Sequence, residues 1–256
     1  MNAHADAIVD LIVSRLGLEP GGGSWQIEFE WVDPLNHLNL NERRRTQVDV
    51  VLRNQKYLIF AECKFTETDG GACSRPLPKQ EFDGLSECNG DYDWQEDPIR
   101  YALFSHFGVS IKDAKCALSR AGIRYWDFIA EVLHIDPTRI FRPCPLNASL
   151  YQWARNLILC WRVATSSGLI PIVLIVFAHQ PGLPMSDRIG SRAWKALVRS
   201  VRQDRILFRT VSYQKIIDVA LELSIEKGWQ DDSWTALHRW VDRKIATSQR
   251  LLRKRF

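Results

Sequence analysis

The sequence predicts an α/β protein with an αβββαβ core, a long insertion and a helical C-terminal extension. Three observations support this fold class. The chain opens with an amphipathic stretch at residues 3–17, and two regions of strand character follow at 25–32 and 46–64. Residues 150–177 then combine a long helical pattern with an apolar, β-branched run. We therefore expect one core domain at residues 1–180.

The N-terminal end of the chain has the apolar periodicity of a helix, and the residues after it have the alternating apolar and polar pattern of strands. Residues 3–17 carry one apolar stripe and end at Gly17, which predicts a helix. The stripe consists of Ile8, Leu11, Ile12 and Leu16. Apolar and polar side chains alternate through residues 25–32, which predicts a half-buried strand. Residues 46–64 contain two apolar runs joined by the polar turn Arg53-Asn54-Gln55, and this pattern predicts a hairpin.

An insertion at residues 65–148 separates the third strand from the second long helix. Within it we predict one helix beginning at Asp97-Pro98 and another around residues 125–133. The pattern of residues 150–166 predicts a strong helix that ends before a glycine. The β-branched residues 169–177 predict a buried strand directly after it.

Composition is that of an ordinary globular protein, with 46% hydrophobic and 25% charged residues among 256. No apolar run reaches the roughly 18 residues that a membrane span needs. The acidic N-terminal stretch does not resemble a signal peptide, so we expect a cytoplasmic protein without membrane contact. Six cysteines in such a chain favour reduced thiols or a metal site over disulfides.

Charge is distributed unevenly along the chain. Residues 187–256 carry a net charge of +8, and the residues before them carry −4, which gives the overall +4. An acidic half beside a basic half is typical of an enzyme that cleaves a polyanion, because acids bind metal and bases hold phosphate.

The most informative stretch is TQVDVVLRNQKYLIFAECK, residues 46–64. Asp49 lies within its first apolar run, and Glu62 and Lys64 end the second. Side chains alternate along a strand, so Glu62 and Lys64 share one face and Cys63 points to the other. The hairpin can bring Asp49 beside them. Because uncompensated charges on an apolar surface are costly, we expect Asp49 and Glu62 to hold a divalent metal.

This Asp-x12-Glu-x-Lys arrangement resembles the PD-(D/E)XK nuclease superfamily. Two other acid-x-lysine tripeptides, Asp113-x-Lys115 and Asp242-x-Lys244, do not end a strand, so the structural context selects residues 62–64. The motif around Glu62 and the later YQ-x-x-RN run at 151–156 are similar to a restriction-endonuclease-like branch of that superfamily. The resemblance implies the restriction-endonuclease-like αβββαβ core, which agrees with the predicted order of elements.

The resemblance also implies a function. The expected protein is a metal-dependent phosphodiesterase that hydrolyses DNA, an endonuclease rather than an exonuclease, with a role in restriction or phage defence. RNA as the substrate stays open, as does the recognition sequence. A homodimer would suit double-strand cleavage, although nothing in the sequence marks an interface.

Roles for the motif residues follow from the chemistry of phosphodiester hydrolysis. Mg²⁺, or Mn²⁺ in its place, would be bound by Asp49, Glu62 and the backbone carbonyl of Cys63, because Mg²⁺ takes only one or two carboxylates and keeps several waters. Lys64 would orient or deprotonate the attacking water, or offset charge in the transition state.

Two further residues are predicted to assist. An additional acid is common in the superfamily, and Glu30 on the first strand is our choice over Glu28 and Glu19. Gln152 matches the glutamine that some members carry on the helix after the motif strand. Residues 155 and 156 share its helical face by spacing.

Basic residues recur through DRIGSRAWKALVRSVRQDR in steps of four and three, which places them on one face of a single predicted helix. The whole of residues 185–256 is expected to be helical. We predict that this face contacts the nucleic-acid backbone without reading sequence, and the alternative is an ordinary solvated face. The basic residues are Arg188, Arg192, Lys195, Arg199 and Arg202.

The insertion contains four cysteines that could hold a structural metal, either zinc or an iron–sulfur cluster. They are Cys73, Cys88, Cys116 and Cys144. None of them is paired in C-x2-C spacing, so buried thiols are the commoner alternative.

Two other functions stay open from sequence alone. The fold could be a catalytically inactive module that binds nucleic acid or protein, or the insertion cysteines could form the centre of a thiol or zinc enzyme.

Overall fold

The computed structural model describes residues 3–36, 45–67, 71, 73–74, 88–93, 116–120, 123–147, 150–229 and 233–253. Its helices are α1 (Ala3–Arg15), α2 (Ala117–Arg120), α3 (Tyr125–Val132), α4 (Tyr151–Ser167), α5 (Pro184–Ile189), α6 (Arg192–Ser200), α7 (Tyr213–Lys227) and α8 (Ser233–Arg253). Its strands are β1 (Gln26–Val32), β2 (Gln47–Arg53), β3 (Tyr57–Lys64), β4 (Ile170–Phe177) and β5 (Leu207–Ser212). Within these ranges, no helix is both long enough and apolar enough to cross a membrane.

One five-stranded sheet in the order β1-β2-β3-β4-β5 forms the centre of the fold. The first three strands form an antiparallel meander, whereas β3, β4 and β5 are parallel neighbours. Helix α4 provides the crossover between β3 and β4. Because parallel strands run the same way, the C-terminal ends of β3, β4 and β5 meet at one edge of the sheet.

Both faces of the sheet are covered, which explains the continuous apolar runs of β3 and β4. Leu58 and Phe60 pack with α3, α4 and α6 on one face, and Ile59 and Ala61 pack with α1 on the other. We call these the α4 face and the α1 face. The α4 face holds the larger core, including the fully buried Trp153 at the start of α4.

The β2–β3 hairpin turns through residues 54–56, close to the predicted turn. The Asn54 side chain accepts hydrogen bonds from the backbone N–H groups of Lys56 and Tyr57, at 2.9 and 2.7 Å. An asparagine that bonds its own turn in this way lowers the cost of reversing the chain. The turn therefore sets the register that brings β2 against β3.

The predicted α/β fold class and the αβββαβ order of the core are confirmed, and α3 lies where residues 125–133 predict a helix. The helix predicted from Asp97-Pro98 falls outside the described residues. The prediction that residues 185–256 are entirely helical is wrong, because Leu207–Ser212 pairs in parallel with β4 as β5. This strand has six residues and no Gly or Pro before it, so it has little signal in the sequence.

The single basic helix predicted over residues 187–205 is also wrong. Gly190 and Ser191 divide it into α5 and α6, and the Ser191 hydroxyl caps α6 by accepting the Trp194 N–H at 3.1 Å. Arg188 therefore lies on α5. Arg202 lies beyond α6, where its guanidinium donates to the Ala130 carbonyl of α3 at 2.9 Å. Only the three basic residues within α6 remain on one helical face.

Replacing Phe208 tests whether β5 belongs to the core. Its ring is 2% exposed and lies 5.5 Å from the Trp194 ring, so Phe208→Ala should lower the free energy of unfolding by about 3–5 kcal/mol. Urea denaturation followed by tryptophan fluorescence measures this. Ile225→Ala on α7 is the control, because its side chain is 83% exposed and the expected change is about 0.5 kcal/mol or less. Equal effects would contradict the placement of β5.

Candidate active site

Two strands and one helix bring the predicted motif residues together around the C-terminal end of β3. Asp49 comes from β2, Glu62 and Lys64 come from the C-terminal end of β3, and Gln152 comes from the first turn of α4. Asn156 lies one turn further along α4, so it faces the same carboxylate as Gln152. Open α/β sheets commonly bind their ligands beyond the carboxyl ends of parallel strands, and Glu62 and Lys64 lie at that edge.

The centre of this cluster is the buried carboxylate of Glu62, which is 3% exposed. Its Oε1 accepts hydrogen bonds from Lys64 Nζ at 2.9 Å and from the Gln152 side-chain amide. Its Oε2 accepts one from Asn156 Nδ2 at 3.0 Å. A carboxylate offers about four lone-pair positions, so these three donors leave one position on Oε2.

Lys64 is buried with Glu62, and the two side chains are 9% and 4% exposed. Its ammonium also lies 5.8 Å from the centre of the Trp153 ring, where the ring face favours a cation. The lysine is therefore held by the Glu62 carboxylate and by the aromatic ring. Its amine has little freedom to move to another partner.

Asp49 lies where the sheet ladder opens. The last paired residues of β2 and β3 are Val50 and Ala61, and beyond them the Cys63 N–H donates instead to Asp49 Oδ2 at 2.7 Å. The side-chain alternation of β2 also changes here, because Val48 packs on the α4 face but Val50 packs on the α1 face. This irregularity turns the carboxylate of Asp49 toward the end of β3.

Burial raises the pKa of Glu62 above the ordinary carboxyl range, and the negative charge of Asp49 raises it further. The hydrogen bonds from Lys64 and Asn156 and the charge of Lys64 act in the opposite direction. Burial also raises the pKa of the Cys63 thiol, which points to the α1 face and has Tyr213 as a neighbour. The site thus carries negative charge in a poorly hydrated place, which favours binding of a cation.

The donor set fits a hard divalent cation. Asp49 Oδ1 receives no hydrogen bond from a described residue, and Glu62 Oε2 keeps one lone pair. The buried Asn156 Oδ1 beside them also lacks a partner among the described residues, so a metal-bound water could satisfy it. Across the described ranges, no three His, Cys, Asp or Glu side chains form a ligand cluster. Mg²⁺ does not require one, because it takes one or two carboxylates and keeps several waters.

Glu30, the predicted additional acid, lies on β1 between two residues that pair with the neighbours of Asp49 on β2, and its role as a third acid stays a prediction. It is exposed on β1 in a left-handed conformation with φ of 51°, and its carboxylate makes no hydrogen bond with another described residue. Glu67 is a further acid near Lys64 that the sequence analysis did not name. Backbone N–H groups of Phe65 and Thr66 donate to its carboxylate at 2.8 and 3.0 Å. These bonds, together with the charge of Lys64, hold its pKa below the usual range although burial opposes them.

Helix α6 lies next to the cluster. Trp194 on its buried face packs edge-on against Trp153 at 6.0 Å, and Trp153 is the ring beneath Lys64. The opposite side of α6 exposes Arg192, Lys195 and Arg199, which form no ion pair with any described residue. The helix that carries these bases therefore packs against the support of the Glu62 cluster.

The four insertion cysteines also come together, around a cavity that no residue of the Glu62 cluster lines. They line one small cavity with Leu118, Trp126 and Leu146. Burial raises the pKa of the Cys144 thiol to about 12, and nearby Cys116 and Cys73 act in the same direction.

Asn156 was grouped with Gln152 by helical spacing but was not assigned a role, and its contact with Glu62 depends on the packing of α4 over β3. Glu67 and Tyr213 gave no signal of their own in the sequence, because their nearness to the site depends on the turn after β3 and on the placement of α7.

A family model described as Restriction Endonuclease associating with ARP matches residues 2–236. No curated protein and no solved structure matches the chain.

The buried pair predicts strongly coupled effects on stability. Lys64→Met leaves Glu62 buried without its cation and should cost about 3–5 kcal/mol. Glu62→Gln with Lys64→Met replaces both charges by neutral groups of similar shape, and should cost clearly less than the sum of the two single changes. Chemical denaturation of the four proteins measures this double-mutant cycle.

An exposed pair provides the matched control. Lys56 bonds Glu19 at 3.2 Å, with a Glu19 side chain that is 90% exposed, so Lys56→Met should leave the stability close to that of the parent protein. Additive effects of Lys64→Met and Glu62→Gln would contradict the described pairing.

Proposed function

Because the chain belongs to the family of restriction endonucleases associating with ARP, we propose that it is a Mg²⁺-dependent endonuclease that hydrolyses phosphodiester bonds in DNA. Its place would be in restriction or phage defence. The observation that carries the proposal is the buried Glu62 carboxylate, bonded by Lys64, Gln152 and Asn156 with Asp49 nearby.

Asp49 and Glu62 are the residues that would hold the metal. The bound ion would act as a Lewis acid on a phosphate oxygen, and it would lower the pKa of a bound water molecule. Mn²⁺ accepts the same oxygen donors and should replace Mg²⁺. The Cys63 carbonyl is a third proposed ligand.

Gln152 and Asn156 position the Glu62 carboxylate rather than meet the substrate. Each donates to a different oxygen, so together they fix the rotation of the carboxylate about the Cγ–Cδ bond of Glu62. Such outer partners orient metal ligands and change metal affinity when they are removed. Their origin on one helix, one turn apart, makes α4 the support of the site.

Lys64 places a positive charge beside the position where the phosphate would lie. Its contacts with Glu62 and Trp153 hold the amine before substrate arrives, so little reorganisation is needed as negative charge develops. The same amine is within reach of a water bound next to Glu62, and can orient it for attack.

The exposed bases of α6 would hold the DNA backbone. Arg192, Lys195 and Arg199 share one helical face, and such contacts position a duplex without reading its sequence. Arg188 on α5 can extend this surface. Arg202 is excluded from the proposal, because its guanidinium bonds the Ala130 carbonyl.

Cleavage of supercoiled plasmid DNA tests the catalytic assignment. The parent protein should nick or linearise the plasmid with Mg²⁺ and stop when EDTA is added. Asp49→Asn and Glu62→Gln should abolish cleavage, and Gln152→Ala or Asn156→Ala should reduce it by about 10–100-fold. Glu226→Gln is the matched control and should retain activity, because its side chain is exposed near the end of α7.

The variants should be folded by circular dichroism, and calorimetry with Mn²⁺ should give a heat that disappears in Asp49→Asn. Cleavage of RNA but not DNA would correct the substrate. DNA binding without cleavage by the parent protein would favour the inactive binding module instead. Loss of activity in Glu226→Gln equal to that in Asp49→Asn would contradict the site described here.

Neutralising the α6 bases tests the DNA surface. The triple variant Arg192→Ala, Lys195→Ala, Arg199→Ala should bind a duplex more weakly, and the slope of log Kd against log salt should fall by roughly 1 for each lost phosphate contact. Fluorescence anisotropy measures both. The control removes three exposed arginines from one face of α8, with Arg239→Ala, Arg243→Ala and Arg250→Ala. Equal losses in the two triple variants would contradict a specific role for α6.

A further inference from the structure

Four of the six cysteines surround a single cavity although they are widely spaced in the sequence. Cys73, Cys88, Cys116 and Cys144 all line it, and its volume is about 10 Å³, close to that of one water-sized sphere. Chance burial would scatter thiols over the core, as it does for Cys160 beneath β3 and β4. Convergence from four separate segments therefore needs another explanation.

Cys144 lies close to two of the other thiols, because the sulfurs of Cys116 and Cys73 are near enough to interact with it electrostatically. The turn that follows it is formed by Pro145–Asn147, and the Asn147 N–H donates to the Cys144 carbonyl at 2.9 Å. This turn fixes the backbone of Cys144 at the cavity.

The segments around the cavity are joined to one another by individual backbone contacts. The Cys73 N–H bonds the Leu146 carbonyl at 3.1 Å, and the Cys144 N–H bonds the Gly90 carbonyl at 2.8 Å. Thus three segments of the insertion meet at the cavity before any ligand is considered. A metal bound by all four sulfurs would tie these segments together at one point, as structural metals do in loop-rich regions.

We propose that Cys73, Cys88, Cys116 and Cys144 bind one Zn²⁺ ion as a structural tetrathiolate site, separate from the Glu62 cluster. Soft thiolates select zinc over hard cations, and four-cysteine zinc sites are tetrahedral and closed to solvent. A single ion suits the small cavity better than an iron–sulfur cluster. No three of the described donors already stand in ligand geometry, so binding requires the sulfurs to rotate inward about their Cα–Cβ bonds. Each thiol that ligates the ion loses its proton to solvent.

Metal analysis of the full chain, purified without chelator, tests the proposal. The protein should contain about one zinc ion per chain, and replacement by Co²⁺ should give the visible ligand-field spectrum of tetrahedral thiolate coordination. Cys116→Ser and Cys144→Ser should each lower zinc affinity by more than about ten-fold. Cys160→Ser is the matched control, because that buried thiol bonds the Leu58 and Ile172 carbonyls away from the cavity and should keep full zinc content.

The outcomes separate this site from the proposed nuclease centre. Asp49→Asn should retain its zinc, whatever its effect on cleavage. Folded parent protein that carries no metal and gives no Co²⁺ spectrum would overturn the proposal without need of any variant. Iron with acid-labile sulfide in place of zinc would overturn the single-ion form. Equal zinc loss in Cys160→Ser and Cys144→Ser would also overturn it.

Discussion

A buried negative charge on Glu62 constrains much of the structure around it. The carboxylate lies at the end of β3 under α4, where an unpaired charge would cost several kcal/mol. Its three donors come from the same strand and from two consecutive turns of α4. The helix must therefore lie over β3 with Gln152 and Asn156 facing the strand end. The interaction that prepares the site also orients the main crossover helix.

The sheet opens at the same place. Beyond Val50 and Ala61 the β2–β3 ladder is replaced by a bond from the Cys63 N–H to the side chain of Asp49. The loss of one ladder pair thus brings a second carboxylate toward Glu62 while the backbone N–H of Cys63 stays bonded.

The acidic and basic parts of the chain are separate in the sequence but are in contact in the folded protein. Trp153 lies under Lys64 and contacts Trp194, so the basic helix α6 packs directly against the support of the acidic site. Strand β5 follows α6 in the chain and pairs with β4. Its Phe208 ring packs on Trp194 of α6, which joins that helix to the sheet. The basic C-terminal segment, residues 187–256, is therefore part of the framework of the site and not an appended tail.

Alternation and spacing were enough to predict the strands, the αβββαβ order and the gathering of Asp49, Glu62, Lys64 and Gln152, because these depend on periods of two and 3.6 residues within single elements. Tertiary structure alone decided the rest. Strand β5 is stabilised by pairing with β4, a contact that local sequence does not encode, and a serine cap divided the predicted basic helix. The left-handed backbone angle of Glu30 and the meeting of the four cysteines also depend on packing between segments that are distant in the sequence. These contacts join residues that lie far apart in the sequence. They therefore depend on how the whole core packs and not on any local pattern.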